Sequence, residues 1–156
     1  MGGFTLLEVL IALLVLSIGL LGLAALQTTG LRSNQMASMR TLATQFTYDI
    51  TDRMRANPAG VANGEYVITT AQAPAATTAT GTALNDLTEW RTNVARLPNG
   101  LSSIIQCNTG TVPACAQVTH IVTVFWDEAR SGATATNNCP PLSSADMRCY
   151  RLIHSE

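Results

Sequence analysis

One carboxylate stands alone in hydrocarbon. Glu8 is the single ionisable side chain between Phe4 and Leu26. A carboxylate inside a bilayer costs about 2.5–3.5 kcal/mol on insertion scales unless it is paired. It therefore calls for a cation at the same depth, and a place near a helix start adds a small gain from the helix dipole. Four cysteines offer a second chemistry: Cys107, Cys115, Cys139 and Cys149, all in the last third. Four allow three pairings. Cys107–Cys115 and Cys139–Cys149 are favoured, because each closes a short loop between turn-rich residues. The spacings C-x7-C and C-x9-C lack the close pair that zinc knuckles use, so disulfides in an oxidising compartment are expected.

The remaining reactive residues form no recognisable site. His120 and His154 are the two histidines, and both read as strand residues. Asp127 and Glu128 follow a strand as a solvated turn. Ser143 and Ser144 lie between Cys139 and Cys149 with no identifiable base. There is no Gly-rich phosphate loop, no HExxH and no nucleophile elbow. The sequence therefore predicts no catalytic residue, no cofactor and no metal. A net charge of −1 over 156 residues gives no electrostatic case for nucleic acid. All nine basic residues are arginine.

The elements that position these groups begin with a long helix. The run from Phe4 to Leu26 spans about 35 Å as a helix, enough for a hydrocarbon core of about 30 Å. It is too long for a secretory h-region and continues into more helix, so an uncleaved anchor is expected. Arg32 and Arg40 follow the run and no basic residue precedes it. Taken alone, the positive-inside rule puts the bulk of the chain in the cytoplasm. The cysteines argue for the opposite side and are given more weight. Beyond the apolar half, Leu31, Met39, Leu42, Phe46, Ile50 and Met54 fall mostly three or four apart, an apolar stripe on one face. Asn57-Pro58-Ala59-Gly60 stops the helix, which is predicted from about Thr5 to about Ala56.

The rest reads as one small α+β unit. Glu65–Thr69 is a candidate strand. Residues 71–83, AQAPAATTATGTA, carry no charge and read as an exposed loop. Leu87, Trp90, Val94 and Leu97 recur at helical spacing, with Asp86 as a candidate cap and Pro98-Asn99-Gly100 as the closing turn. Trp90 is expected in the core. Ser102–Gln106, Gln117–Trp126 and Tyr150–His154 are predicted strands. Within the second, Val118, His120, Val122, Val124 and Trp126 share one face, and Thr119, Ile121, Thr123 and Phe125 the other.

Gly3-Phe4-Thr5-Leu6-Leu7-Glu8, followed by about 20 apolar residues, resembles the type III signal of type IV pilins and type II secretion pseudopilins. ITDRMRANPAG, then Trp90 to Gly100 (W-x6-LP-x-G), then VTVFWDE, resembles minor type IV pilins of the PilV family, the type IV pilus modification proteins. Together these cover most of the chain. The resemblance implies the type IV pilin fold: a long N-terminal helix on a small antiparallel sheet domain with disulfides. It implies cleavage by prepilin peptidase between Gly3 and Phe4, with methylation of the new Phe4 amine. Glu8 is then the residue of subunit docking and register, paired with that amine on its own or a neighbouring chain. Gly19 and Gly22 become points of helix loosening.

The implied segments are 1–3 as leader remnant with a longer basic leader expected before it, and 4–27 as the membrane half of the helix. The amphipathic half is 28–57, and a periplasmic globular domain occupies 58–156. The implied partners are prepilin peptidase, other minor pilins, the major pilin, the inner-membrane assembly platform and lipid, and a tip adhesin. The implied location is the inner membrane, then the pilus at or near its tip, where the subunit primes or caps assembly. Two other readings stay open: a minor pseudopilin of a type II secretion system, and a membrane-tethered periplasmic enzyme or binding module.

Overall fold

The computed structural model describes residues 3–69, 79–107, 119–132, 139 and 147–155. Its contacts divide the chain into two units, Met1–Ser38 and Met39–Glu156. One helix, α1 (Leu6–Ala56), contributes to both. In the first unit the helix is almost wholly apolar as far as Leu26 and polar beyond it, and residues 3–35 are exposed. It is long and apolar enough to cross a membrane.

In the second unit α1 turns one face inward. Ala43, Ile50 and Met54 are fully buried, and Met39 and Phe46 pack against them. Thr47 and Thr51 are buried beside them, each donating its hydroxyl to the carbonyl four residues back at 2.8 Å. That back-bonding satisfies hydroxyls that would otherwise be costly to bury. The expected stripe is therefore shifted. Leu31 and Leu42 are exposed, at 63% and 37%. Leu42 lies about 140° round the helix from Thr47. Small residues at 43, 47 and 51 form the ridge that lets the rest of the core approach closely, and hydropathy does not rank them.

Helix α1 ends at Ala56, where the Asn-Pro pair stops it. The chain restarts at once as α2 (Pro58–Ala62), with Pro58 in the first turn and Asn57 Oδ1 accepting from the Gly60 N–H at 3.2 Å. Residues 63–66 turn, so the expected strand Glu65–Thr69 reduces to a single antiparallel bridge between Ile68 and Ile104. The turn that brings Val67 N–H onto the Gly64 carbonyl leaves too little extended chain for more.

Helix α3 (Gly81–Val94) takes in the last three residues of the expected loop; residues 71–78 of that loop lie outside the described residues. Ala83, Leu87, Trp90 and Val94 bury one stripe, with Leu97 just beyond. Asp86 does not cap the helix. Thr80 holds the N-cap position, and its hydroxyl donates to Glu65 Oε1 at 3.1 Å instead of receiving a helix N–H. After the helix, Asn99 takes a φ of +50°, and a side chain at Gly100 would collide with the Val94 carbonyl. That close approach requires glycine.

Three strands form an antiparallel meander: β1 (Leu101–Cys107), β2 (Thr119–Trp126) and β3 (Arg148–Ser155). Ile104, Val122 and Leu152 are in register across it. Ile104, Val122, Val124 and Trp126 face the core with α1 and α3. The central strand is buried on both faces, since Ile121, Thr123 and Phe125 are at most 8% exposed. Residues 117 and 118 of the expected strand lie outside the described residues. A disulfide joins Cys139 to Cys149 at the start of β3. Cys107 is disulfide-bonded, while Cys115, its expected partner, lies outside the described residues.

Candidate functional site

The candidate site is the first turn of α1. Thr5 precedes the helix and closes its end: Thr5 Oγ1 accepts from the Glu8 N–H at 3.3 Å, and its carbonyl accepts from the N–H groups of Glu8 and Val9 at 3.1 and 3.3 Å. This is the N-cap half of a T-x-x-E capping box. Sequence reasoning missed Thr5 as a cap, although Thr5-Leu6-Leu7-Glu8 carried the signature. The cap fixes the turn on which Glu8 is mounted, in the first turn where the helix dipole favours a negative charge.

Glu8 shares one shallow apolar groove with Phe4, Val9, Ala12, Leu13 and Leu16. The other polar side chains of the apolar stretch are satisfied locally. Ser17 donates to the Leu13 carbonyl at 2.7 Å, and Thr28 and Thr29 both donate to the Ala25 carbonyl. The Glu8 carboxylate makes no hydrogen bond or ion pair with any described residue. Among the described residues of the apolar half it is the one ionisable side chain, and in hydrocarbon it would lack a counter-charge. Phe4, four residues back, is 85% exposed.

Gly19 and Gly22 lie further along the same exposed helix, which runs through both without a break. A Cβ at either would meet nothing within 4 Å.

Residues 1–24 match the prokaryotic N-terminal methylation motif. No curated protein and no solved structure matches the chain. The methylation motif marks type IV pilin-like substrates of prepilin peptidase, and it points to a structural subunit rather than an enzyme. The apolar helix that follows it fits anchoring in the inner membrane before incorporation into a pilus. The architecture of long helix, small antiparallel sheet and disulfide is that of the type IV pilin fold.

Two polar clusters hold the globular unit together and account for charges that sequence alone left unassigned. Arg53 on α1 donates to Asp49 at 3.1 Å and reaches α3 at Asp86 (3.3 Å) and Glu89 (2.8 Å). Tyr66 donates its hydroxyl to the other Asp86 oxygen at 2.6 Å and accepts from Asn57 Nδ2 at 3.2 Å. Burial first, and the Asp86 carboxylate second, push the Tyr66 phenol up to about 12. In the second cluster, Arg40 Nε and Nη2 donate to the two Glu128 oxygens at 2.8 and 3.1 Å, and Arg148 Nε donates to Oε2 at 3.3 Å. The Arg40 hydrogen bond, outweighing burial, holds the Glu128 carboxyl below the usual carboxylate range. Glu128 is therefore a two-arginine clamp and not a free turn residue.

His120 is fully buried at the centre of the sheet, opposite Gln106 on β1 and His154 on β3. Among the described residues no group of three or more His, Cys, Asp and Glu could hold a metal.

Proposed function

We propose that this chain is a minor type IV pilin of the PilV kind. Prepilin peptidase cleaves between Gly3 and Phe4, and the Phe4 amine is methylated. Residues 4–27 then anchor the subunit in the inner membrane, residues 28–57 continue the helix, and residues 58–156 lie in the periplasm. Joined to other minor pilins, it primes or caps the filament made by the major pilin, on the inner-membrane assembly platform and near any tip adhesin.

The observation that carries this reading is the unpartnered Glu8 carboxylate on a capped, wholly exposed apolar helix start. A released Phe4 amine supplies the missing cation at the same depth. On a neighbouring subunit it sets axial register; on the same chain it neutralises the carboxylate before assembly. Lipid covers the apolar face before assembly and other helices cover it afterwards. The work is association, not catalysis.

The test is made in the native host. Mass spectrometry of the assembled filament should find the chain lacking Met1–Gly3 and carrying one methyl group on Phe4. Gly3→Val should leave the mass unshifted and the chain in the membrane. Glu8→Gln should keep the chain in the membrane and lower its share of the sheared filament fraction. Normal incorporation of Glu8→Gln would reject the pairing, and an uncleaved chain in the filament would reject the whole reading. Co-purification with other minor pilins should survive mild detergent.

A further inference from the structure

A pocket on the globular unit has more hydrogen-bond donors than acceptors to receive them. Its walls are Arg40 and Thr44 of α1, Trp126 at the end of β2, and Arg148, Cys149 and Tyr150 of β3. It encloses about 310 Å³ and lies wholly within the Met39–Glu156 unit. Glu128 takes up one positive charge of the two arginines that line it. The clamp uses Nε and Nη2 of Arg40 but only Nε of Arg148. Both terminal nitrogens of Arg148, and Nη1 of Arg40, have no acceptor among the described residues. These two side chains are 44% and 62% exposed, so the free donors are reachable.

A second observation comes from the pocket wall. Trp126 is 3% exposed, and its buried indole N–H has no acceptor among the described residues. The other indole, Trp90, is fully paired at 2.8 Å, so an orphan N–H is not a habit of this fold. A buried donor without an acceptor is a standing cost. The Thr44 hydroxyl is already spent on the Arg40 carbonyl at 2.9 Å, and the Tyr150 hydroxyl is bonded to Tyr48. The pocket thus combines a net positive charge and a forked guanidinium with aromatic and disulfide walls, and the orphan indole N–H lies within the Trp126 wall, out of reach of solvent.

The complement of that arrangement is a planar acceptor on a short apolar stem. A guanidinium fork matches a carboxylate by two parallel hydrogen bonds. The aromatic rings of Trp126 and Tyr150 suit methylene groups, which a hydrated inorganic anion does not bring. We propose that this pocket receives the carboxylate of an acidic side chain, glutamate above all, presented by a partner polypeptide. This goes beyond the filament reading and does not depend on it, because the site lies apart from Phe4 and Glu8.

The chain contains two tryptophans, so its indole N–H resonances report both the site and the fold. The full chain in detergent micelles, labelled with nitrogen-15, is titrated with the blocked peptide acetyl-Ala-Glu-Ala-amide. Its Gln counterpart and sodium acetate are the comparison probes. The Trp126 peak should move saturably with the Glu peptide while the Trp90 peak stays in place. The Gln peptide and acetate should bind at least about tenfold more weakly. Arg148→Gln should weaken the Glu peptide at least about tenfold, since it removes a charge-assisted pair, and should keep the Trp90 peak. If Arg148→Gln loses the Trp90 peak, Arg148→Lys is used; it keeps the charge, lacks the fork, and should also weaken binding. A Trp126 peak that does not move overturns the proposal. So does equal binding of the Gln peptide, which removes the carboxylate, or equal binding of acetate, which makes this a free-anion site. Unchanged binding in the Arg148 variant overturns it as well.

Discussion

Trp90 donates its indole N–H to the main-chain carbonyl of Phe46, 2.8 Å away and 44 positions earlier in the chain. That one bond ties the short helix α3 to the inward face of α1, and the same pair of helices is bridged again by Arg53 to Asp86 and Glu89. The packing between helices is thus fixed by directional contacts at two heights. Apolar burial of Ala43, Ile50, Met54, Leu87 and Val94 supplies the bulk of the attraction between them.

Trp90→Phe keeps most of the apolar area and removes the indole N–H. The expected loss is about 1–3 kcal/mol, from one buried hydrogen bond and the void left by the smaller ring. Chemical denaturation of the full chain in micelles, followed by circular dichroism, should show an earlier midpoint. A midpoint equal to that of the parent rejects the bond as a structural tie.

Tyr66 makes the alkaline limb of stability readable. Its folded phenol is raised above the ordinary 10.0 to about 12, chiefly by burial. The folded state therefore holds the proton more tightly, and the stabilisation is complete below about pH 10. It is lost as pH rises from 10 toward about 12. The chain has no lysine, so the groups that compete for the signal are the other two phenols, Tyr48 and Tyr150, and burial and the Tyr48 hydroxyl raise Tyr150 as well. Phenolate absorbance should show a late step that coincides with unfolding. Tyr66→Phe should diminish that step, leaving the part that belongs to Tyr150, and flatten the limb between pH 10 and about 12. A parent titration with all tyrosines ionising near 10 contradicts the burial argument.

Cys139–Cys149 closes a loop of sequence separation 10 at the edge of β3. Chain-entropy arguments put its worth at about 3 kcal/mol. The pair of changes Cys139→Ala and Cys149→Ala tests it without touching Cys107, which reduction would also release. The expected result is a lower melting temperature and faster amide exchange along Arg148–Ser155, with β1 less affected. Uniform exchange across the sheet goes against a local staple.

The legible parts of this fold were those with a local signal. The strands showed because β-branched and aromatic residues cluster at 119–126, and the α1 stop showed because Asn57-Pro58 cannot continue a helix. Glu8 showed because a lone charge in hydrocarbon has no ordinary explanation. The hidden parts depend on distance. Asp86 reads as a cap from its neighbours, yet its partners are Arg53 and Tyr66, 33 and 20 positions away. Thr47 and Thr51 read as polar, yet back-bonding lets them sit in the core. Glu128 reads as a turn residue, and only the fold brings Arg40 to it across 88 positions. Thr5 is the exception: its capping role is local, written in the spacing Thr5-Leu6-Leu7-Glu8.

Gly19 and Gly22 separate two accounts of the apolar helix. Each glycine costs a helix interior about 1 kcal/mol relative to alanine. In the structure the helix passes through both intact, and no neighbour would obstruct a methyl group at either position. Gly19→Ala with Gly22→Ala should therefore leave the isolated chain folded and membrane-bound, with slower amide exchange at residues 17–24. If filament assembly requires local melting of this stretch, the double variant resists it by about 2 kcal/mol, and its share of the sheared filament should fall several-fold against the parent. If the glycines serve close helix approach instead, the added methyl groups impede packing. The single changes then separate by position, since the residue facing a neighbour carries the defect and the other does not. Equal, additive effects favour melting. Normal incorporation of the double variant eliminates both accounts and leaves the glycines as incidental in lipid.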